Sequence, residues 1–179
     1  MTVIESGNLF IRPLEKDDAL LLVKWLNDPE VLQWYEGRDR PHDLHKVYEH
    51  FYESDDGVFK NLVIWDQKPI GYVQYYPLSE EEKRIYGYKF DESLYGMDQF
   101  IGELNYQNRG VGTKLVNTVV DYLFHASGAE KVVMDPQVRN HRALRCYEKC
   151  GFRTVRRLVS HELHEGKKEN CLLIERIRS

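Results

Sequence analysis

Gln107-Asn108-Arg109-Gly110-Val111-Gly112-Thr113-Lys114 is the stretch whose reading decides the fold. It follows a strand-like run, Tyr95 to Glu103, and opens a segment from Val111 to His125 in which Val111, Leu115, Val119 and Leu123 recur every four residues. That spacing predicts a helix with one stripe to pack on a sheet. A turn between a strand and such a helix presents unpaired backbone N–H groups and the positive helix end, which together hold an anion. Gly110 and Gly112 let the main chain approach it, and Arg109 and Lys114 add positive charge. These residues point to a bound phosphate or pyrophosphate.

Downstream, Lys131 to Asp135 reads as the strand that completes a βαβ unit. Arg139 to Lys149 is a second helix closed by Gly151, and two last strands, near Arg153 to Ser160 and Glu169 to Arg176, flank a loop at His161 to Lys168. Upstream the pattern changes. Leu9 to Arg12 is a strand, and Asp17 or Asp18 caps a helix whose apolar face carries Leu21, Leu22, Trp25 and Leu26 before Asn27-Asp28-Pro29 ends it. A second helical stretch covers Asp43 to Tyr52. Val58 to Trp65 and Pro69 to Tyr76 form an antiparallel hairpin about Asp66-Gln67-Lys68. Leu78 to Glu92, with Glu80, Glu81 and Glu82 in a row, is expected to be a polar loop. An antiparallel half followed by a βαβ half makes a mixed α/β fold. The 179 residues contain no repeat and no linker, so one domain, 1–179, is expected.

Gly110-x-Gly112 followed by a strand ending in Asp135 also fits a dinucleotide fingerprint. Leu115 in the place of the third glycine, the antiparallel first half and the short remaining chain count against it. The turn also lacks the spacing of a nucleotide triphosphate loop. Coenzyme A carries a pyrophosphate and suits a smaller fold.

The formal charge of -4 argues against a nucleic-acid partner and for a cationic one. No apolar run approaches the ~20 residues of a membrane span, and Met1 to Arg12 lacks the basic start and apolar stretch of a secretory signal, so a cytoplasmic protein is expected. Cys146, Cys150 and Cys171 are odd in number and form no C-x-x-C pair, which favours reduced thiols; Cys146 and Cys150, one helical turn apart, read as small buried residues. His161-Glu162-Leu163-His164 does not make H-E-x-x-H, so no metal is expected and the segment reads as surface loop.

Asn140-x-x-Ala143-x-x-x-Tyr147-x-Lys149-x-Gly151-Phe152 is more distinctive. Together with Gln107-x-x-Gly110-x-Gly112, and with Leu9-x-Ile11-Arg12-Pro13-Leu14 at the start, it resembles the GCN5-related N-acetyltransferases. Within that superfamily, Tyr95-Gly96-Met97-Asp98-Gln99-Phe100-Ile101-Gly102-Glu103, Asp135-Pro136 and the tail His161 to Glu169 resemble the aminoglycoside 6'-N-acetyltransferases, including the acetyltransferase half of bifunctional acetyltransferase-phosphotransferase resistance enzymes. The resemblance implies a central mixed, mostly antiparallel sheet splayed into a V with helices on both faces, and acetyl-coenzyme A in the gap. It implies that Gln107 to Thr113 hold the pyrophosphate, that Asn140 lies beside the pantetheine arm, and that Tyr147 places its hydroxyl near the thioester sulfur. A leaving thiolate needs a proton, so that role is chemically sensible.

Asp98 stands among Met97, Phe100 and Ile101, where an ionised carboxylate is costly unless it is paired or used. Alternation puts Gly96, Asp98 and Phe100 on one face; a structural Asp at a strand irregularity is the alternative. The resemblance makes Asp98 the carboxylate that holds the reacting amine and takes its proton, directly or through water. Asp135 closes its strand, where ligand sites gather, and can meet a second amine or cap a turn. By position in the resembling enzymes, Gln74, Tyr76, Tyr35, Asp91 and Glu92 line the sugar site. The expected acceptor is an aminoglycoside. Another amine (a protein N-terminus, a polyamine, a siderophore precursor) and a non-catalytic acyl-coenzyme A sensor are the rival readings.

Overall fold

The computed structural model describes residues 2–179; Met1, the first residue of the segment read for a secretory signal, lies outside them. Fifteen elements follow the chain: β1 Ile4–Ser6, β2 Leu9–Pro13, α1 Ala19–Trp25, α2 Pro29–Leu32, α3 Leu44–Val47, β3 Phe59–Trp65, β4 Lys68–Pro77, α4 Glu80–Tyr86, β5 Leu94–Ile101, α5 Val111–Ala126, β6 Lys131–Met134, α6 His141–Lys149, β7 Arg153–His164 and β8 Lys167–Ile177, with a π-helical turn, Tyr48–Tyr52, extending α3. The eight strands form one sheet in the order β1-β2-β3-β4-β5-β6-β8-β7, so both halves of the chain share it. All neighbours are antiparallel except β5 and β6. No described helix is long and apolar enough to cross a membrane.

Three apolar clusters hold the sheet. Leu115, Val119 and Leu123 of α5 are fully buried against one face, with Ile11, Val63, Val73 and Met97. On the opposite face α1, α2 and α3 bring Leu22, Trp25, Leu26 and Val47 onto Leu62, Tyr72 and Phe100. The second arm has its own cluster, in which Leu78, Leu94, Val133, Cys171 and Leu173 pack with Tyr76, Tyr86 and Tyr88. Gly102 is required by the packing, because a Cβ there would sit 2.3 Å from the Trp25 ring.

Two expectations are corrected. Leu78 to Glu92 is not a loop. Ser79 accepts from the Glu82 N–H while the Glu82 carboxylate accepts from the Ser79 N–H, a capping box that starts α4, and Gly87 at φ 85° ends it. The row of glutamates lies in the first turn, where the helix dipole favours negative charge. His161 to Lys168 is not a loop either: β7 runs on to His164, and Glu165 and Gly166, both at positive φ, make a two-residue turn into β8.

Candidate active site

The site exists because β5 and β6 diverge. Leu94, Tyr95 and Gly96 pair with Lys131, Val132 and Val133, but from Met97 onward β5 pairs, among the described residues, with β4 alone. The edge of Met97–Ile101 therefore faces a cleft of about 750 Å³ between the two arms.

One half of the cleft is cationic. Asn108 at φ 60° and Gly110 at φ 77° curl the turn before α5, and Gln107, Asn108, Gly110, Gly112 and Thr113 line the wall. The first N–H groups of α5 have no acceptor within the helix and form the anion-binding end expected of this turn. α6 faces it with Arg142, Arg145 and Lys149. Arg142 Nη1 donates to Gln107 Oε1 at 2.9 Å, and Gln107 Nε2 donates to the Ile101 carbonyl at 3.3 Å, so the turn is strutted from both sides. Asn140 also lines the cleft, and its Oδ1 caps α6 by accepting from the Ala143 N–H at 3.3 Å.

Lys114 is turned away: its ammonium lies 5.4 Å from the centre of the Trp65 ring and against Gly7. Val111 gives its side chain to the core, and Arg109 is exposed outside the cleft lining. The positive charge expected from Arg109 and Lys114 is thus supplied by α6. Its signal was the spacing of Arg142, Arg145 and Lys149, three and four residues apart and hence on one helix face. Cys146 stands in the cleft wall instead of being fully buried, with its Sγ 3.6 Å from Thr113 Oγ1, whereas Cys150 is buried.

The other half is acidic on balance, with Glu30, Glu36, Asp98, Asp135 and Glu162 on its walls against Arg40. Antiparallel register places Tyr72 opposite Phe100, Gln74 opposite Asp98, and Tyr76 opposite Gly96. The Tyr72 hydroxyl donates to Gln74 Oε1 at 2.7 Å, and Gln74 Nε2 donates to Asp98 Oδ2 at 2.9 Å. Gly96 makes room for the Tyr76 ring, which would lie 2.6 Å from a Cβ at that position. Burial pushes the Asp98 carboxyl up to about 6; the Gln74 bond opposes the rise, and the nearby Asp135 and Glu162 charges add to it. The irregularity offered as the bland reading of Asp98 is absent: β4 and β5 stay in register through it.

Asp135 follows β6, and its Oδ2 accepts from the Tyr86 hydroxyl and from His161 Nε2, each at 2.8 Å. The pairing with Asp135 raises the His161 imidazole above its usual value. Gln137 Nε2 donates to Glu162. Tyr35 lines the same half, its ring 4.8 Å from that of Phe100. Tyr76 sits one layer behind. Asp91 and Glu92 are not brought to the cleft: Asp91 is exposed, and Glu92 pairs with Lys131 at 3.2 Å. The acids in their stead are Glu36 and Glu162. Glu162 went unread because the tail read as a loop, and β7 and β8 change register between Leu158 and Glu162, so alternation alone would not have placed it.

The two halves meet at β5. Asp98 points to the acidic side, and Gln99, its neighbour of opposite face, donates from Nε2 to the Tyr147 hydroxyl at 2.8 Å. Burial raises the Tyr147 phenol above its ordinary value, so it carries its proton at neutral pH. Beside the cleft-lining Glu36 and His164, Arg38 Nε and Nη2 donate to the Glu165 carboxylate at 2.6 and 2.8 Å, and the buried His164 donates to the Gln33 carbonyl at 2.9 Å. This joins the segment after α2 to the β7–β8 turn.

The parting strands, the glycine turn, Asp98 on one face of β5 and the Tyr147 hydroxyl tied to Gln99 on the other all border one cleft. Residues 15–159 match the acetyltransferase (GNAT) domain family, and the chain belongs to that family. It is 31% identical over 150 residues, covering 82% of this chain and 75% of the relative, to aminoglycoside N(6')-acetyltransferase type 1 of Klebsiella pneumoniae. Among solved structures it is similar to AAC(6')-Ib in complex with ribostamycin and coenzyme A, with TM-score 0.78 and 26% identity over 96% of this chain and 94% of that one. The complex of AAC(6')-Ib with coenzyme A and kanamycin matches at TM-score 0.75 and 26% identity, covering 95% of both chains.

Proposed function

We propose that this protein transfers the acetyl group of acetyl-coenzyme A to the 6'-amine of aminoglycosides, and so inactivates them as antibiotics. The observation that carries the reading is the division of one cleft into a cationic half and an acidic half, with Asp98 at their junction. An anionic pyrophosphate suits the first, and a polyammonium sugar suits the second. The similarity to enzymes named for this acetylation supports the choice of acceptor.

Acetyl-coenzyme A supplies an activated acyl group as a thioester. The turn from Gln107 to Thr113 and the α6 cations hold its phosphates, and Asn140 borders its arm. Asp98 holds the acceptor ammonium and takes its proton; a carboxyl near 6 is ionised at neutral pH yet basic enough to accept. The nitrogen attacks the acetyl carbon directly, with no acyl-enzyme, and a backbone N–H on the open edge of Met97–Ile101 meets the developing oxyanion. Tyr147 gives its proton to the departing sulfur. Asp135, Glu36, Glu162 and Tyr35 receive the other amines and rings of the acceptor. The whole of residues 1–179 acts as one catalytic domain, and it works in the cytoplasm, where its thiols stay reduced. The test is to incubate the protein with acetyl-coenzyme A and a panel of amines, follow free thiol, and locate the new acetyl group by mass spectrometry and NMR. Efficient turnover of aminoglycosides at the 6'-amine is expected; release of thiol only with other amines would refute the acceptor.

A further inference from the structure

We propose that Gln99 is a positioning residue for the leaving-group proton: its side-chain amide fixes the Tyr147 hydroxyl with the phenolic hydrogen free to turn toward the sulfur. The inference rests on the acetyl-transfer reading above, though not on the identity of the acceptor.

A phenol has one hydrogen to give and lone pairs to receive. In this structure the lone pair is taken: Gln99 Nε2 donates to the Tyr147 oxygen at 2.8 Å. An acceptor at that place would hold the phenolic hydrogen and withdraw it from the reaction, whereas a donor leaves it uncommitted and draws the phenol's proton affinity down, against the burial that raises it. Among the described residues Gln99 has no competing side-chain tie, and its Oε1 is buried without a partner, an uncommon and costly state, tolerated here at the wall of the cleft. The bond to Tyr147 is therefore what aims the amide.

The position on β5 gives the bond its purpose. Asp98 and Gln99 are consecutive, so the pleat sends one to the acceptor face and the other to the face of α6. A single rigid strand, tied to β4 throughout, thus places both the group that takes a proton and the group that aims the one to be given. The balance closes. The acceptor ammonium first gives one proton to Asp98, which passes it through water to solvent. The free amine nitrogen then forms the new C–N bond and yields a second proton to Asp98; the C–S bond breaks with its electron pair on sulfur; Tyr147 protonates that sulfur; and the second proton on Asp98 returns through water to the phenolate.

The experiment is a double-mutant cycle with Gln99→Met, which keeps length and loses the amide, and Tyr147→Phe. Gln99→Met is expected to lower kcat about 10- to 100-fold, leaving KM for acetyl-coenzyme A and the dissociation constant of coenzyme A within about twofold, and adding nothing to Tyr147→Phe. In the ligand-free protein, the ¹³Cζ resonance of Tyr147, assigned by its loss in Tyr147→Phe, should shift in Gln99→Met. Gln99→Asn, whose amide is one methylene too short, serves where Gln99→Met does not fold and should behave alike. Full multiplicative loss in the double variant, an unmoved ¹³Cζ resonance, or unchanged kcat would overturn the proposal. Because thiol release is read with whichever acceptor the wild type uses, failure of aminoglycosides as substrates would count against the acceptor and leave this test intact.

Discussion

At the scale of single residues, the reading turns on Asp98. Its carboxyl is raised from an ordinary 3.8 to about 6 because burial and two neighbouring carboxylates outweigh the Gln74 bond. On the proposed mechanism the unprotonated Asp98 is the active form, so kcat/KM should fall as pH drops through about 6, and Asp98→Asn should remove that acid limb together with ~10²–10⁴-fold of kcat. A limb that survives unchanged in the variant would assign it to another group. The same shift bears on stability. A raised folded pKa means that the unfolded chain ionises first, so ionisation opposes folding: the penalty is absent below pH 3.8, grows up to about 6 and is full above it. Asp98→Asn should therefore be more stable than wild type at pH 7 by up to about 3 kcal/mol, and no more stable at pH 3. Urea unfolding at the two pH values checks the sign.

Tyr147 completes the pair. Its phenol stays protonated at neutral pH, and Tyr147→Phe should reduce kcat by ~10²–10⁴-fold while coenzyme A affinity is kept. Isothermal titration beside single-turnover kinetics separates the two effects. These two residues were legible in the sequence because one is a charge in an apolar strand and the other belongs to a long motif. Gln99, Glu162 and His161 were not. A polar side chain on a strand carries no signal until its cross-strand or helix partner is known, and the partners here are 48 residues away for Gln99 and 26 for His161.

At the scale of elements, periodicity and turn chemistry gave β2 to β6 and the two helices that border the cofactor half, because each has a stripe or a breaker that short-range physics dictates; the three-residue β1 was not read, and β7 and β8 were read short of the turn that joins them. α4 was missed where the acidic row outweighed Ser79-x-x-Glu82, although that capping box was itself in the sequence. Ser79→Ala should lower stability by about 1 kcal/mol, seen in thermal melts, and leave kinetics untouched, since α4 reaches the site only through Tyr86 on Asp135. The β7–β8 turn gives a contrasting case. Arg38 beside it holds the Glu165 carboxyl down to about 2, and the pair ties together elements far apart in sequence whose neighbours Glu36 and His164 line the cleft. Glu165→Gln should raise KM for the acceptor more than KM for acetyl-coenzyme A, and the gap should narrow at high salt, where the ion pair is screened in wild type as well. Equal change in both constants would remove the clasp from acceptor binding.

At the scale of the whole molecule, one sheet carries two opposite fields. Separation of β5 from β6 opens the gap, α6 makes one side of it positive, and Asp98, Asp135, Glu36 and Glu162 make the other negative. Net charge hinted at a cationic partner, but its concentration in half a cleft could not be read from composition. That distribution suits any polyamine, so charge alone does not choose the acceptor; reactivity at one nitrogen does. The measurement that tests the central claim most directly is kcat/KM for a matched pair of aminoglycosides that differ only in a 6'-amine or a 6'-hydroxyl, with the product position read by NMR. The amine should be acetylated at the 6' position. The hydroxyl analogue should bind through its remaining ammonium groups and turn over poorly, because an alcohol is a weaker nucleophile whose proton a carboxylate removes with difficulty. Equal kcat/KM for the two, or efficient acetylation at a different amine, would contradict the account.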